Sequence, residues 1–561
     1  MRRVHTPVLL ALAASAAIAG CIGNISDPVG KSPGTGSEAF APPAPKLQRL
    51  LSRQYVGSVR ELLGDAAALA ATPPADTAIN GFDAVGASQL NVGDEGVVAY
   101  EKSARAVARA AVHDPQSKIP AYLDCVASDA HDAACARSFI ARFGHVAFRR
   151  PLEAAEIDAL ADIADLAATD YGTFEDGLEY AIAAMLEAPS FVYRAELGSS
   201  ASYTGTDGKA LSLRKLSGPE LATRMSFFLL DATPSEAVLL AAEGGALDTD
   251  EGIRALAEEL LDDPRARASV SALYDEVLGV RNVVDTTKVV KDSTLFPEFS
   301  PALASAMREE TARLVEDIVW TRDADFRELL TADYTFVTPE LAALYGVPNP
   351  APDPSGWTKV SLPAAQRRAG FLGGGAYLST YAHKSRTSPT LRGKFIRERL
   401  LCESINPPPN NVKQEFPPDS DAKTMKEKLA FHQSNPSCAA CHALMDPVGL
   451  AFENFDPIGR FRLDENGQSI DATGTFEDDG QPAAPFTDGR ALGALIASDP
   501  AFASCVVKNV FRHSLGHIET KGERRALDAL AGSFEESGFR IRDWMIELVV
   551  SDAFRWVGEE P

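Results

Sequence analysis

The stretch Leu47-Gln-Arg-Leu-Leu-Ser-Arg-Gln-Tyr-Val-Gly-Ser-Val-Arg-Glu-Leu-Leu63 decides the fold class. Its apolar residues at 47, 50, 51, 55, 59, 62 and 63 recur at intervals that gather them on one face of a helix. A first helical region therefore starts near residue 46. The same signal returns along the chain. Arg149-Arg-Pro-Leu-Glu-Ala-Ala-Glu-Ile-Asp-Ala-Leu160 sets Pro151 where a helix can begin, followed by acids that suit its dipole. Ser217-Gly-Pro-Glu220 forms a capping box, with Leu221, Met225, Phe228 and Leu229 continuing at helical spacing. From about residue 488 the pattern is helical again. The expected fold is mainly α and multidomain, with a small β-hairpin turning at Asn466-Gly467.

A length of 561 residues exceeds one ordinary core and implies about two to four domains. The loop from Gly346 to Gly356 carries four prolines in eleven residues and marks an edge. The reading divides the chain into a signal peptide (1–21), a flexible linker (22–45) and an N-terminal helical region (46–210). A central helical domain (211–346), a CxxCH domain (357–485) and a C-terminal helical domain (486–561) follow. The formal charge of −24 argues against nucleic acid as a partner, since phosphate binding needs concentrated Lys and Arg.

Arg2 and Arg3 precede the apolar run Val8–Ala19, which is too short to span a membrane and reads as an export signal. The run ends in Ile18-Ala-Gly-Cys21, similar to a bacterial lipobox, so Cys21 is the expected lipid-bearing residue. Export also implies an oxidising compartment, in which thiols pair. Cys125 and Cys135 bracket a nine-residue segment and read as a local disulfide. Cys402 and Cys505 are the remaining distant pair.

Ser437-Cys-Ala-Ala-Cys-His-Ala-Leu-Met-Asp-Pro447 then stands apart. A c-type haem needs two thiols to add across its vinyl groups and an adjoining imidazole for iron, and Cys438, Cys441 and His442 supply all three on one helical turn. Structural zinc would need Cys402 and Cys505 to join the pair, and a redox dithiol would want a thioredoxin-like βαβ setting. Asp446-Pro447 is read as the end of the short helix. Met445, three residues beyond His442, is read as packing. For the sixth iron position the candidates are His432, Met425, His383, Met545 and the pair His513/His517, whose i,i+4 spacing would place both on one helical face. An open position is also allowed.

The segment Lys384–Arg399 holds six basic residues. Intramolecular pairing and a solvated helix face account for such a run; haem propionates held by Arg386 or Arg392 are the functional alternative.

RLLSRQYVGSVRELLGD (49–65), FRRPLEAAEIDAL (148–160), APSFVYRAELG (188–198), TSPTLRGKFIRERLLC (387–402) and CAACHALMDPVGLAFENFDPIGRFR (438–462) occur in this order. Together they resemble the large multidomain cytochrome-like proteins of planctomycetes and myxobacteria, which consist of consecutive domains of unknown function. The lipobox and additional cysteines look like the myxobacterial branch. The resemblance implies a haem-c site at Cys438, Cys441 and His442, and no reaction.

The expected protein is thus an exported lipoprotein at the cell envelope, anchored at the outer membrane and facing the periplasm or the exterior. It would carry one covalent haem c and pass electrons to or from a redox partner protein. A haem-dependent oxidase or peroxidase acting on an envelope substrate, and a scaffolding lipoprotein with a structural CxxC, are the alternatives. No Ser/His/Asp order, Walker loop, HExxH or G-x-S-x-G elbow set between a strand and a helix argues for a hydrolase or NTPase.

Overall fold

The computed structural model describes residues 39–205, 208, 210–348, 355–406, 422–433, 436–477 and 483–559, with the backbone alone at 431–433, 436–438 and 440. The export signal, Cys21 and the linker as far as residue 38 lie outside the described residues. Within them the chain is mainly helical, with 25 α-helices and β-structure confined to sheets of two or three short strands.

The decisive stretch divides in two. Lys46–Arg49 is a strand, β1, and the helix α1 begins at Ser52 and runs to Leu63. β1 pairs antiparallel with β2 (Tyr193–Glu196), so Leu47 is exposed while Gln48 and Arg49 are buried. Beyond the strand the helical stripe holds, since Tyr55, Val59, Leu62 and Leu63 are all buried. They enter a core shared with α2 (Asp94–His113), α3 (Ala133–Phe148) and α4 (Phe174–Glu187), including Val107, Phe139 and Ile182. The helix after Pro151 starts later than the proline suggests, at Ala154, where Glu153 and Glu156 form a capping box.

Residues 39–45, read from composition as the end of the linker, are packed instead. Phe40 is buried with its ring 5.4 Å from that of Tyr203, the Ala41 amide donates to Gly522 O at 3.0 Å, and Gly558 N donates to Pro43 O at 2.7 Å. One buried aromatic ring and two backbone hydrogen bonds seat the segment among its small and proline residues.

The larger core draws on the rest of the chain without regard to the expected domain edges. Met225 from α5 (Gly218–Leu229), Tyr274 from α6 (Pro264–Val277), Tyr377, Phe395 from α7 (Pro389–Phe395), Val448 from α8 (Pro436–Leu450), Phe511 from α9 (Pro500–Leu515) and Trp544 belong to it. The capping box at Ser217 forms as its sequence indicates, and Glu220 additionally accepts the amides of Leu197 at 2.7 Å and Gly198 at 3.0 Å. The hairpin also forms. Asp464–Glu465 pairs with Gln468–Ser469, and Asn466 and Gly467 take the positive φ that a tight hairpin turn requires. Cys125 is bonded to Cys135 and Cys402 to Cys505.

Candidate functional site

α8 carries the CxxCH sequence. Pro436 opens it, a position where the missing N–H costs nothing, and the helix continues through Asp446-Pro447 to Leu450. That corrects the expectation that Asp446-Pro447 ends it. An internal proline forfeits one backbone bond and costs about 3 kcal/mol. The turn beyond it is held by packing, because Val448 is wholly buried and Leu450 packs with Met425 and Leu429.

The glycine in this turn explains how closely the helix is seated. A methyl group at Gly449 would fall on the carbonyl of Pro389, and one at Gly393 on the carbonyl of Met445. α7 and α8 thus meet backbone to backbone, each through a glycine. Ser388 caps α7 by accepting from Leu391 N, and Pro389 fills its first turn, which fixes the next residue, Thr390, against α8.

His442 stands one turn before Asp446 on α8. Its Nδ1 lies 2.9 Å from Oδ2 of Asp446, and the Thr390 hydroxyl donates to Oδ1 of the same carboxylate at 2.8 Å. The Asp446 side chain is wholly buried and that of His442 is 19% exposed. Its hydrogen bond to Asp446 holds the imidazolium above the usual histidine range against the opposing effect of burial. Cys441 takes no part in a disulfide and is half-buried. The side chain of Cys438 lies outside the described residues, as does that of His432. Two apolar side chains on these helices face water, Leu444 at 47% exposure and Leu391 at 38%.

The block that follows the histidine, from Glu453 to Arg462, builds the support for α8. Glu453 accepts the Thr387 hydroxyl at 2.7 Å and Arg462 Nη2 at 3.2 Å. Asp456 accepts the amides of Ile458 and Arg460, each at 2.9 Å, and closes a turn through Gly459 at φ 91°. Arg392 is wholly buried. Its guanidinium donates to Phe452 O at 2.9 Å and to the carbonyls of Phe455, Leu378 and Asp456, with Glu453 3.5 Å away. The propionate role considered for Arg392 is therefore corrected: its donors are directed into the protein. Arg386, by contrast, is exposed just before α7. Arg397 likewise turns inward, donating to Leu444 O at 3.2 Å and pairing with Glu403 at 2.8 Å. Two of the six basic residues, Arg392 and Arg397, thus form an internal scaffold.

Most alternative iron ligands are engaged elsewhere. His513 meets Glu276 at 2.7 Å, and His517 meets Glu523 at 2.9 Å. They do not share a helical face, because α9 stops at Leu515 with Gly516 in the left-handed region. Met425 and Met545 are buried in apolar clusters, Met445 is buried as expected, and His383 is exposed. The four-thiol zinc site loses two ligands to the Cys402–Cys505 bond. Among the described residues no group of three or more His, Cys, Asp or Glu side chains is arranged to hold a metal ion.

The residues present fit a c-type haem in the donor chemistry they offer. Nδ1 of His442 is directed at a carboxylate, so the nitrogen on the opposite side of the ring is the one suited to iron, and Cys441 supplies a thiol one residue earlier. Sequence reasoning missed Asp446 and Thr390. The i,i+4 spacing of His442 and Asp446 was the available signal for the first; nothing local marked the second.

Five family models match the chain in succession, each described as a protein of unknown function: DUF1587 over residues 48–113, DUF1595 over 135–196, DUF1592 over 216–347, DUF1588 over 368–465 and DUF1585 over 483–554. Cys438, Cys441, His442 and Asp446 fall in the DUF1588 segment. No curated protein and no solved structure matches the chain.

Proposed function

We propose that this chain, assembled from five consecutive domains of unknown function, is an exported lipoprotein that carries one c-type haem and transfers electrons at the cell envelope. Cys438 and Cys441 would hold the haem covalently, and His442 would be the proximal ligand. When bound, the haem supplies one-electron redox chemistry. The observation that carries the reading is His442 itself, placed directly after a thiol outside any disulfide and oriented through Nδ1 by a buried carboxylate. The resemblance to cytochrome-like proteins supports it, and the lipobox at Cys21 supports an anchor at the outer membrane, facing the periplasm or the exterior. Arg386, exposed just before α7, is the residue we assign to a propionate, and a redox partner protein is the implied counterpart.

Expression in a host with c-type maturation should give protein that stains for haem after denaturation and shows a pyridine haemochrome spectrum. The Cys438→Ala/Cys441→Ala protein should show neither. Colourless protein from a maturation-competent host would reject the reading.

Electron transfer asks only for a six-coordinate iron, whereas oxidase or peroxidase chemistry asks for a position that substrate can reach. We place the sixth ligand outside α8, with His432 as the residue. The ferric protein should then give a low-spin EPR signal that His432→Ala converts to high spin. A high-spin signal in the unsubstituted protein, moved by cyanide or peroxide and accompanied by turnover of a reducing substrate, would replace the carrier with an enzyme.

A further inference from the structure

We infer that Asp446, backed by Thr390, is the positioning residue of this site: it fixes His442 with its proton on Nδ1 and strengthens the opposite nitrogen as a donor, holding a bound haem at low potential. The inference rests on the haem reading above and goes beyond it, because nothing in a CxxCH sequence dictates what lies behind the histidine.

An ionised carboxylate accepts hydrogen bonds and donates none. At 2.9 Å from Oδ2, Nδ1 of His442 must therefore be the protonated nitrogen, which leaves the lone pair of the neutral ring on Nε2. The carboxylate cannot turn aside, since it is wholly buried and its other oxygen accepts the Thr390 hydroxyl at 2.8 Å. Thr390 in turn is fixed by the close approach of α7 to α8 at Gly393 and Gly449. Helix contact, hydroxyl, carboxylate and imidazole form one continuous rigid path.

A neutral backbone carbonyl would fix the ring just as well. A carboxylate adds a negative charge, and burial keeps water from screening it. Drawn toward that charge, the Nδ1 proton leaves more electron density on Nε2, so the ring becomes a stronger donor. A stronger donor and a nearby negative charge both favour the more positive oxidation state of the metal, which lowers the midpoint potential. Asp446 is thus a tuning group as well as an orienting one, and its removal should change the potential even where the haem stays in place.

Two measurements separate these roles. In Cys438→Ala/Cys441→Ala protein, which lacks the attachment thiols, long-range ¹⁵N–¹H spectra above the histidine pKa should show His442 protonated on Nδ1. Protonation on Nε2 would overturn the positioning. In the mature holoprotein, Asp446→Asn preserves size and an acceptor oxygen while removing the charge. Its midpoint potential should rise in a spectroelectrochemical titration, and Asp446→Glu should return it part of the way. Asp446→Asn holoprotein with covalent haem and an unchanged potential would overturn the tuning role while leaving the haem reading intact. Protein that takes up no haem at all rejects that reading, and the redox role with it. Should Asp446→Asn fail to mature, the tautomer measurement on the aspartate-containing chain decides the positioning by itself.

Discussion

Glu196→Gln is expected to destabilise the folded chain by about 3–5 kcal/mol at neutral pH, the usual consequence of leaving a buried charge without its partner. Glu196 receives Nε of Arg224 at 3.0 Å and Nη2 at 2.6 Å, and Arg194 Nε lies 3.3 Å away. All three side chains are at most 3% exposed. Arg224 also donates to Phe554 O at 2.5 Å, so the cluster joins β2 to α5 and to the C-terminal end of the chain. Burial alone would push the Glu196 carboxyl up, yet the two guanidinium groups hold it down at about 2, below its ordinary 4.5. A carboxylate depressed in this way contributes stability that is complete above the unfolded value. That contribution disappears as pH falls from about 4.5 toward 2. Chemical denaturation at pH 7 should show the loss in Glu196→Gln, and the variant should also have a shallower decline in stability below pH 4.5. Part of the acid sensitivity should persist, because Glu276 is held near 2 by a separate partner, His513. A variant as stable as the parent, with the same acid profile, would contradict the ion cluster as a load on folding.

What the sequence discloses here follows the range of the forces involved. The stripe of α1, the capping box at Ser217 and the Asn466-Gly467 turn depend on neighbours a few residues away, and all three are legible. β1 is not, because its four residues become a strand only by pairing with Tyr193–Glu196, far along the chain, and they continue a helical pattern without interruption. Arg392 misleads for a related reason. A guanidinium in a basic run reads as surface, and only the carbonyls of Phe452, Phe455, Leu378 and Asp456 make an interior position tolerable. Pro447 signals a stop that the burial of Val448 overrides. At the site itself, the spacing of thiols and imidazole is what prompts the haem reading, and it places Cys441 and His442 side by side on α8. The Asp446–Thr390 support depends on two helices meeting, which no spacing within either helix reveals.

That meeting of helices yields the second large effect. Gly449→Ala should destabilise the chain by about 2–3 kcal/mol, and Gly393→Ala by a similar amount, since each added methyl meets a backbone carbonyl rather than a side chain able to swing away. In isolation the same change does the reverse: alanine in a helix is favoured over glycine by about 1 kcal/mol. Gly532, in the helix Arg524–Glu536, supplies the internal control, because a methyl group there has no heavy atom within 4 Å. Gly532→Ala should therefore stabilise the protein slightly while Gly449→Ala and Gly393→Ala weaken it, so one substitution type takes opposite signs in one chain. The two damaging variants crowd the same helix contact, and once either has pushed α7 from α8 the other methyl has room. The double variant should thus cost less than the sum of the singles, as expected for neighbours that share a contact. Denaturant midpoints for the four variants would establish the pattern. Equal and additive small effects at all three glycines would mean that α7 and α8 are not in backbone contact, and Thr390 would then lose its fixed place behind Asp446.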